Sequence, residues 1–402
     1  MKKKKLAIMV DYLGHGGVDR SVHYITSALK DKFDIEIVTM SDSDCPYGLD
    51  APIHSFGLPS GPYDSFIKEI YILILTIFKF QIYKLKKKID ICISFKDAMH
   101  IANAFTVGGI KVMSIREHKT KGLRFSGFKR TITMKLLSLT YSRSDLVVVN
   151  AWYTGTDLVQ NFGTKHDRIV TINNPCDVKA VQEKAANSPR QRPSANRRIV
   201  NVGRCTYQKG QWSLVRVFAE LCKVHKDLEL VIVGDGEFYD LLKELAAKLN
   251  VESSVHFMGF QDNPFQHIAN SDIFVMTSLW EGFPNVLLEA MACSVPVIST
   301  YNEGTHELIL GTKVEWFPET SIKKSKVGVV TQKLDTSTIW DTRPLTEPEK
   351  HLYSAIEEML ASPKEAKRLA KNALAKVNQH TIKRTQEEWL GAIDTVVNLN
   401  KS

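Results

Sequence analysis

The chain has 402 residues, of which 44% are hydrophobic and 24% are charged. This composition excludes a largely disordered protein and supplies enough apolar material for two globular domains. The formal net charge is +9. The positive excess is concentrated between residues 66 and 143, which contain 16 basic and 4 acidic residues, and such a field attracts phosphate, anionic lipid or nucleic acid.

Cysteine spacing and the first residues indicate a cytosolic protein. The cysteines stand at positions 45, 92, 176, 205, 222 and 293 and form no C-x-x-C pair or metal-ligand cluster, which is typical of reduced thiols. Residues 2–5 are lysines, but the apolar run LAIMV that follows ends at Asp11, too early for a signal peptide. We therefore expect LAIMV (6–10) to be the first strand.

Short apolar runs alternate with helical patterns along the first half of the chain. LAIMV is followed by an amphipathic segment from Ser21 to Leu29, and then by IEIVTM (35–40), ICIS, VMSI and LVVVN. This alternation predicts a parallel sheet covered by helices. Between the first strand and the first helix, Gly14, Gly16 and Gly17 would let the backbone approach a phosphate or an acceptor.

The segment FIKEIYILILTIFKFQIYKLKKK (66–88) departs from this pattern. Its longest nearly unbroken apolar run, Ile70 to Phe78, is about half the length that a membrane-spanning helix needs. Two interpretations stay open. The segment is either an interfacial helix whose lysines meet lipid phosphates, or a core helix with a solvated basic tail.

The run VMSI is followed directly by Arg116, Glu117 and His118. Doubly wound sheets bind their ligands at the carboxyl ends of the strands. We therefore expect these three residues at the edge of a ligand cleft, with His118 in a functional role. Asn174-Pro175, after the run VTIN, is read either as a hinge or as a plain loop turn.

A stretch without apolar periodicity divides the chain. Residues 178–198 contain two prolines and no helical or strand pattern, which predicts a linker. The alternation then restarts with RRIVNVG, LELVIVGDG, VHFMGF, DIFVMTS and VPVIST. We assign residues 1–176 to one Rossmann-like domain, 177–198 to the linker, 199–380 to a second Rossmann-like domain and 381–402 to a C-terminal helix.

The first strand of the second half leads into VGRCTYQKG, which places Arg204 and Lys209 between a strand and a helix. Two cations at the carboxyl end of a strand are suited to neutralise a diphosphate. The nearby VGDGE (233–237) has no third glycine before a helix, so a dinucleotide fingerprint is not expected.

The stretch SLWEGFPNVLLEAMACSVPVIS (278–299) carries the strongest signal. Pro284 favours a helix start, Gly282 lets the turn pass close to a ligand, and the free N–H groups of Asn285, Val286 and Leu287 would point at an anion. Two carboxylates beside a phosphate site would repel the phosphate unless they accept hydrogen bonds from sugar hydroxyls. One of Glu281 and Glu289 is therefore expected to hold a ribose and the other a donor sugar.

Together, GGVDR, REH, INNP, VGRCTYQKG, VIVGDG, VHFMGF and EGFPNVLLEAMACSVPVIST resemble the retaining glycosyltransferases of family 4. The resemblance covers roughly residues 6 to 310 and continues weakly to the end. It implies the α/β GT-B fold, in which two Rossmann-like, doubly wound domains face each other across a cleft and the last helix returns to the first domain. TIKRTQEEWLGAIDTVVNL, with Trp389, is the counterpart of that helix.

The resemblance also implies a role for each matching residue. Glu281 would lie against the donor sugar, Glu289 would bind the ribose, and Arg204 with Lys209 would hold the diphosphate. His118 would contact the donor sugar. The remaining positions are backbone sites: Asn285, Val286 and Leu287 would donate to phosphate beside Gly282, and Gly16 and Gly17 would line the acceptor side.

The implied activity is hexosyl transfer from a UDP-sugar to a glycan or a polyprenyl-diphosphate-linked acceptor, as in the assembly of capsule, lipopolysaccharide or other bacterial glycans. The basic first domain fits a protein held peripherally at the inner face of the cell membrane. No metal or other cofactor is expected, since cations and helix N–H groups stabilise the leaving diphosphate and the D-x-D sequence at 42–44 falls in a loop.

Two features depart from the family pattern, and two other functions are alternatives to glycosyl transfer. Residues 302–306 replace the family's usual glycine turn near the sugar, and 311–327 resemble an insertion. A GT-B sugar-nucleotide epimerase would share the fold and the nucleotide site. A non-enzymatic nucleic-acid-binding protein would use the +9 charge, but its cations are not interleaved with stacking aromatics, so nucleic acid is not an expected partner.

Overall fold

The computed structural model describes residues 3–14, 17–42, 48–61, 65–123, 127–187, 196–311 and 321–399. Its contacts divide the chain into two compact units. Unit 1 comprises Met1–Asn174 and Ile382–Ser402, and unit 2 comprises Pro175–Thr381.

Unit 1 is built on a parallel sheet, sheet A, with the order β3-β2-β1-β4-β5-β6-β7. Its strands are β1 (Lys4–Val10), β2 (Phe33–Thr39), β3 (Ile53–Ser55), β4 (Ile91–Phe95), β5 (Ile110–Ile115), β6 (Leu146–Val149) and β7 (Ile169–Thr171). The central strands are almost continuously apolar because helices cover both faces of the sheet. The strand order reverses between β1 and β4, which is where a doubly wound sheet binds its ligand.

The helices between these strands are α1 (Gly17–Leu29), α2 (Phe66–Lys87), α3 (Asp97–Phe105), α4 (Lys119–Gly122), α5 (Gly127–Ser142) and α6 (Trp152–Phe162). Helix α2 is the segment that was read either as an interfacial helix or as a core helix. At its start, the Ser65 hydroxyl accepts from the N–H of Ile67 at 3.3 Å. Phe80 and Tyr83 are buried in the core, whereas Ile67 and Phe78 are exposed. The helix therefore has a core side and an exposed apolar side, and lipid contact stays a prediction.

Unit 2 repeats this architecture around sheet B, with the order β10-β9-β8-β11-β12-β14-β13. Its helices are α7 (Val178–Ala186), α8 (Gln211–Val224), α9 (Tyr239–Lys248), α10 (Phe265–Ala269), α11 (Asn285–Ala292), α12 (Glu303–Thr305), α13 (Glu347–Ala361) and α14 (Pro363–Val377). Its strands are β8 (Arg197–Val202), β9 (Leu228–Val233), β10 (Val255–Phe257), β11 (Ile273–Met276), β12 (Val297–Thr300), β13 (Lys323–Lys324) and β14 (Val329–Thr331). All pairings are parallel except β13 with β14. The predicted pair of doubly wound sheets is confirmed.

The linker prediction is wrong for part of its length, because Val178–Ala186 forms α7. The side chain of Asp177 accepts from the N–H of Ala180 at 3.0 Å, and Val181 is buried. Gln182 donates to the carbonyl of Ala292, at the end of α11, at 3.1 Å. These contacts stabilise a short helix whose sequence has little periodicity of its own. Residues 188–195 lie outside the described residues.

The last helix, α15 (Ile382–Leu399), belongs to unit 1 and packs on α1. Trp389 is 1% exposed and lies in the same core cluster as Leu6 and Val22. Lys32 pairs with Asp394 at 2.8 Å at the surface. A segment that is distant in sequence therefore completes the core of unit 1.

Glycines bring three loops of sheet B together at the carboxyl ends of its strands. A Cβ added to Gly304 would lie 2.2 Å from the carbonyl oxygen of Gly282, and one added to Gly210 would lie 2.4 Å from that of Thr277. Gly210 also has a φ of +62°, in the left-handed region that favours glycine. The loops after β8, β11 and β12 can approach this closely only without side chains there.

We predict that Gly304→Ala destabilises unit 2 by about 1–3 kcal/mol, since the added methyl group forces the Gly282 turn to move. The matched control is Gly391→Ala on α15, where a Cβ meets open space. That change should be neutral or stabilising by about 0.5–1 kcal/mol. Thermal unfolding followed by circular dichroism compares the two, and equal midpoints would contradict the prediction.

Candidate functional site

The carboxyl edge of sheet B holds a close pair of opposite charges. The Lys209 Nζ donates to Glu281 Oε1 at 2.6 Å, and the two side chains are 18% and 12% exposed. Lys209 follows β8 and Glu281 follows β11, and these neighbouring strands flank the point where the strand order of sheet B reverses. The ion pair therefore lies where a doubly wound sheet binds a ligand.

Backbone contacts lock the two loops that carry this pair. The Thr277 hydroxyl donates to the carbonyl of Lys209 at 2.9 Å, and the N–H of Leu279 donates to the carbonyl of Gln208 at 2.8 Å. The Gln208 side chain donates to the carbonyl of Trp280 at 2.9 Å. The loops that carry Lys209 and Glu281 are thus fixed relative to each other.

An aromatic cluster packs next to the same two loops. Tyr207 stacks on Trp212 with 5.7 Å between ring centroids and meets Trp280 at 5.9 Å. Trp340 packs against Trp212. Because Tyr207 and Trp280 are close in sequence to Lys209 and Glu281, this cluster holds the ion pair on a rigid base.

Arg204, the other predicted diphosphate cation, lies at the start of the loop after β8. Its side chain is exposed. Its backbone is fixed, since Gln211 donates to the carbonyl of Arg204 at 3.2 Å and the N–H of Cys205 donates to that of Asp235 at 2.9 Å. Arg204 is therefore an exposed cation on a fixed backbone, five residues before Lys209 in the same segment.

Helix α11 begins at Asn285, close to the predicted position. Asn285, Val286 and Leu287 form its first turn. The N–H of Leu287 donates to the carbonyl of Pro284 at 3.2 Å, and phosphate binding by these three backbone positions stays a prediction. Glu289 is 6% exposed, and burial, followed by the charge of Glu289, raises the pKa of Cys293 to about 12.

The loop after β12 supports the glycine turn of the EGFPN motif. Gly304 abuts Gly282, as described above, and the Asn302 side chain donates to the carbonyl of Ser278 at 3.2 Å. Asn302 also caps α12 by accepting from the N–H of Thr305 at 3.0 Å. The residues that depart from the usual family pattern thus pack directly against the motif.

His118 and Gly17 belong to unit 1 and are described with sheet A. His118 follows β5, is 13% exposed, and has its Nδ1 3.2 Å from Oδ2 of the fully buried Asp157. Gly17 is the exposed first residue of α1. Gly16 and the D-x-D sequence beyond Asp42 lie outside the described residues.

Arg116 anchors the loop that carries His118. It lies half-buried between the rings of Phe95 and Trp389, each 5.8 Å from the guanidinium carbon, and it donates to Asn174 Oδ1 at 3.1 Å. Burial lowers the pKa of Arg116 to about 10. These contacts tie Arg116 to the core of unit 1.

A buried cation, Lys119, follows His118. It pairs with Asp97 at 2.6 Å and with Glu117 at 3.0 Å. Burial would lower the pKa of Lys119, but these carboxylates raise it well above its ordinary value. The loop after β5 is therefore tied to the start of α3.

Sequence reasoning missed Lys96, at the start of α3. Its backbone has φ 62° and ψ 159°, a region that is essentially restricted to glycine and costs about 1–3 kcal/mol. Its amine pairs with Asp11 at 2.7 Å and lies 3.9 Å from the centre of the Tyr12 ring. A lysine in a conformation that favours glycine is not visible as a motif.

Asp157 was missed as well, although the pattern of α6 contains a signal. Thr154, Asp157 and Leu158 share one side of the helix and are all buried. A polar side chain on the buried side of a helix requires partners. The sequence alone does not show that those partners lie in the loop after β5.

Within the described residues, no group of three or more His, Cys, Asp and Glu side chains is placed to hold a metal ion. In that same part of the chain, no helix is long and apolar enough to cross a bilayer.

Two family models match the chain. One described as "Glycosyltransferase Family 4" covers residues 15–180, and one described as "Glycosyl transferases group 1" covers residues 183–325. A Campylobacter jejuni protein, N-acetylgalactosamine-N,N'-diacetylbacillosaminyl-diphospho-undecaprenol 4-alpha-N-acetylgalactosaminyltransferase, is 31% identical over 312 residues, or 76% of this chain and 83% of that protein. The lipopolysaccharide core biosynthesis glycosyltransferase LpsE of Rhizobium meliloti is 32% identical over 199 residues, or 49% of this chain and 51% of that protein.

Solved structures show the same fold at low sequence identity. HepE of Anabaena in complex with UDP and glucose gives a TM-score of 0.74 at 18% identity, covering 97% of this chain and 99% of that one. Sucrose-phosphate synthase of Thermosynechococcus elongatus gives 0.76 at 17% identity, covering 99% and 100%. The two doubly wound units and the family matches define a GT-B glycosyltransferase. The chain belongs to glycosyltransferase family 4, which confirms the resemblance found in its motifs.

We predict that Lys209 and Glu281 are energetically coupled. Lys209→Ala leaves the Glu281 carboxylate partly buried without its cation, so adding Glu281→Gln should restore part of the lost stability. We expect a coupling energy of about 0.5–3 kcal/mol in a double-mutant cycle measured by urea denaturation.

The matched control is the exposed pair of Lys223 and Glu220, which lie 2.7 Å apart. Substituted in the same way, an exposed pair couples by about 0.2–1 kcal/mol at most. Additive effects at Lys209 and Glu281 would show that the contact does not stabilise the site.

Proposed function

We propose that this glycosyltransferase moves a hexose or an N-acetylhexosamine from a UDP-sugar to a glycan or a polyprenyl-diphosphate-linked acceptor, with retention of the anomeric configuration. The observation that carries the proposal is the 2.6 Å contact of Lys209 with Glu281 at the reversal point of sheet B. A diphosphate requires cations and a donor sugar requires hydroxyl acceptors, and this pair supplies one of each.

The names of one relative and one structural neighbour support the proposed substrate class. The Campylobacter jejuni relative is named for transfer to a diphospho-undecaprenol-linked sugar, and HepE is described in complex with UDP-glucose. Both names fit a site with cations for a diphosphate, together with the partly exposed Glu281 and the buried Glu289 for hydroxyls. The acceptor would then belong to the assembly of lipopolysaccharide, capsule or another surface glycan.

Donor binding is proposed to exchange the partners in the ion pair. The diphosphate takes the place of Glu281 beside Lys209, with Arg204 closing from the exposed side. The N–H groups at the start of α11 donate to the same phosphates. Glu281 is then released to accept hydrogen bonds from donor-sugar hydroxyls, and Glu289 accepts those of the ribose.

Sugar transfer then needs no dedicated base. The bond between the anomeric carbon and the phosphate oxygen breaks while the acceptor oxygen bonds to the same face of that carbon. The proton of the acceptor hydroxyl passes to the leaving phosphate oxygen. Lys209 and Arg204 stabilise the negative charge that develops on the diphosphate.

We expect Lys209→Ala to lower the rate of transfer by about 10²–10³-fold, the range seen when one preorganised group that stabilises transition-state charge is removed. Release of UDP from UDP-sugars in the presence of lipid-linked acceptor measures the rate, and NMR of the product shows its anomeric configuration. Lys223→Ala, an exposed lysine of the same unit, is the control. Full activity of Lys209→Ala, or an inverted product, would contradict the proposal. Conversion of the UDP-sugar without acceptor would indicate an epimerase.

The protein is further proposed to work in the cytoplasm, bound peripherally to the inner face of the cell membrane. On α2, the large apolar side chains of Ile67, Tyr71, Ile74, Phe78 and Leu85 are 58–78% exposed, and their spacing places them on one side of the helix. We call these five residues the α2 apolar stripe. Such a stripe with lysines at its end is suited to the boundary between headgroups and acyl chains.

Helix α5 extends this surface. Phe128 is 81% exposed, and the neighbouring Lys129 has its amine 5.3 Å from the centre of the Phe66 ring and 3.8 Å from Glu69. The first turns of α2 and α5 therefore meet. Aromatic rings interleaved with lysines favour an anionic lipid surface as the partner.

We predict that the double substitution of Ile74→Glu and Phe78→Glu lowers binding to phosphatidylglycerol vesicles by at least about tenfold, since each apolar side chain contributes about 1.5–3 kcal/mol when buried. Val224→Glu is the control, because Val224 is 63% exposed on unit 2. Co-sedimentation measures binding, and UDP affinity checks that unit 2 is intact. Unchanged sedimentation of the double variant would remove the membrane assignment.

A further inference from the structure

Gln208, the residue before Lys209, is hydrogen-bonded to the segment that carries Glu281. The backbone carbonyl of Gln208 accepts from the N–H of Leu279 at 2.8 Å. Its side-chain Nε2 donates to the carbonyl of Trp280 at 2.9 Å. Gln208 therefore contacts both of the residues that come directly before Glu281.

The segment after β11 has no regular secondary structure of its own. Residues 277–284 form neither helix nor strand, so their buried backbone groups need hydrogen-bond partners from other parts of the fold. Trp280 is 8% exposed, and the half-buried Gln208 supplies the partner of its carbonyl. The position of this segment is therefore set in part by Gln208.

The bond to the carbonyl of Trp280 also orients Glu281. This carbonyl and the N–H of Glu281 belong to one peptide unit, which is planar and rigid. Fixing the direction of the carbonyl therefore fixes the plane that leads to the Cα atom of Glu281. From that position the Glu281 carboxylate meets Nζ of Lys209 at 2.6 Å.

We propose that Gln208 is a positioning residue that holds Glu281 for its contact with the hydroxyl groups of the donor sugar. The proposal rests on the proposed function, which gives Glu281 that contact. It deepens that function, because it names the residue that allows unit 2 to distinguish a UDP-sugar from UDP.

The other bonds between the two loops survive a change of this side chain. The N–H of Leu279 donates to the backbone carbonyl at position 208, which every residue type carries. The Thr277 hydroxyl donates to the carbonyl of Lys209 at 2.9 Å. A substitution of Gln208 therefore removes the bond to Trp280 and leaves the two loops joined.

The first test measures the affinity of the full-length protein for UDP, for UDP-glucose and UDP-galactose, and for their N-acetylated forms by isothermal titration calorimetry. Gln208→Ala should weaken binding of the preferred UDP-sugar by about 10–100-fold and binding of UDP by no more than about twofold, since a bond from a sugar hydroxyl to a carboxylate is lost in the first case only. In a Glu281→Ala background it should have no further effect, because Gln208 acts through Glu281. A purely structural role would weaken the two ligands to the same extent.

Gln208→Glu provides a pH dependence that a structural role does not share. An ionised carboxylate cannot donate to the carbonyl of Trp280, whereas a protonated carboxyl group can. Binding of the UDP-sugar, expressed relative to the wild type at each pH, should therefore recover as the pH falls from about 8 to about 5. Gln208→Ala should show no such recovery, and a flat profile for Gln208→Glu would count against the proposal.

A third test follows the position of Glu281 without any ligand. The coupling energy between Lys209 and Glu281, measured by urea denaturation in a double-mutant cycle, should fall by at least about half in the Gln208→Ala background, since it depends on the separation of the two charges. Asn372→Ala is the matched control. This exposed amide of α14 donates to the carbonyl of Lys326 at 2.8 Å, and its loss should leave the affinities and the coupling unchanged.

The outcomes separate the two proposals. Equal weakening of UDP and UDP-sugar binding by Gln208→Ala, or an unchanged coupling between Lys209 and Glu281, would overturn the role of Gln208. A reduced coupling in a protein whose wild type binds no UDP-sugar would instead refute the proposed function, while Gln208 would still be shown to hold Glu281.

Discussion

The close approach of backbone segments at the carboxyl edge of sheet B is the constraint on which the site depends. Gly304 lies against the carbonyl of Gly282, and Gly210 lies against that of Thr277. Each contact removes the space that a side chain would need, so the loops after β8, β11 and β12 form one packed layer. The pairing of Lys209 with Glu281 follows from this packing, because two loops that touch through their backbones hold their side chains at a fixed separation.

Local chemistry explains what the sequence could predict. A proline two residues after a glycine and followed by an apolar helical pattern determines the start of α11 with little help from the rest of the fold, and the structure begins that helix at Asn285. The alternation of apolar runs with amphipathic segments likewise fixes two doubly wound sheets. In both cases the residues that determine the structure are neighbours in sequence, so the local sequence pattern is enough to predict the structure.

The features that sequence reasoning missed all depend on contacts between distant segments. Helix α7 forms because α10 and α11 provide a surface on which it packs. The hydrogen-bond partners of Asp157 lie in the loop after β5, which is separated from α6 by a helix and a strand. The backbone of Lys96 is held in a region that favours glycine by its contacts with Asp11 and Tyr12. No periodicity or motif encodes such contacts, because they arise only when the sheet brings the strand ends together.

The carboxyl edges of the two sheets differ in how far their charged side chains are exposed to solvent. On sheet B, Lys209 and Glu281 remain partly exposed and Arg204 is exposed, so their charges stay available to a ligand. On sheet A, Lys119 is buried among carboxylates and Arg116 lies half-buried between two aromatic rings, and both hold the loop after β5. This difference supports the proposed function, in which the cations of unit 2 neutralise the diphosphate of the donor.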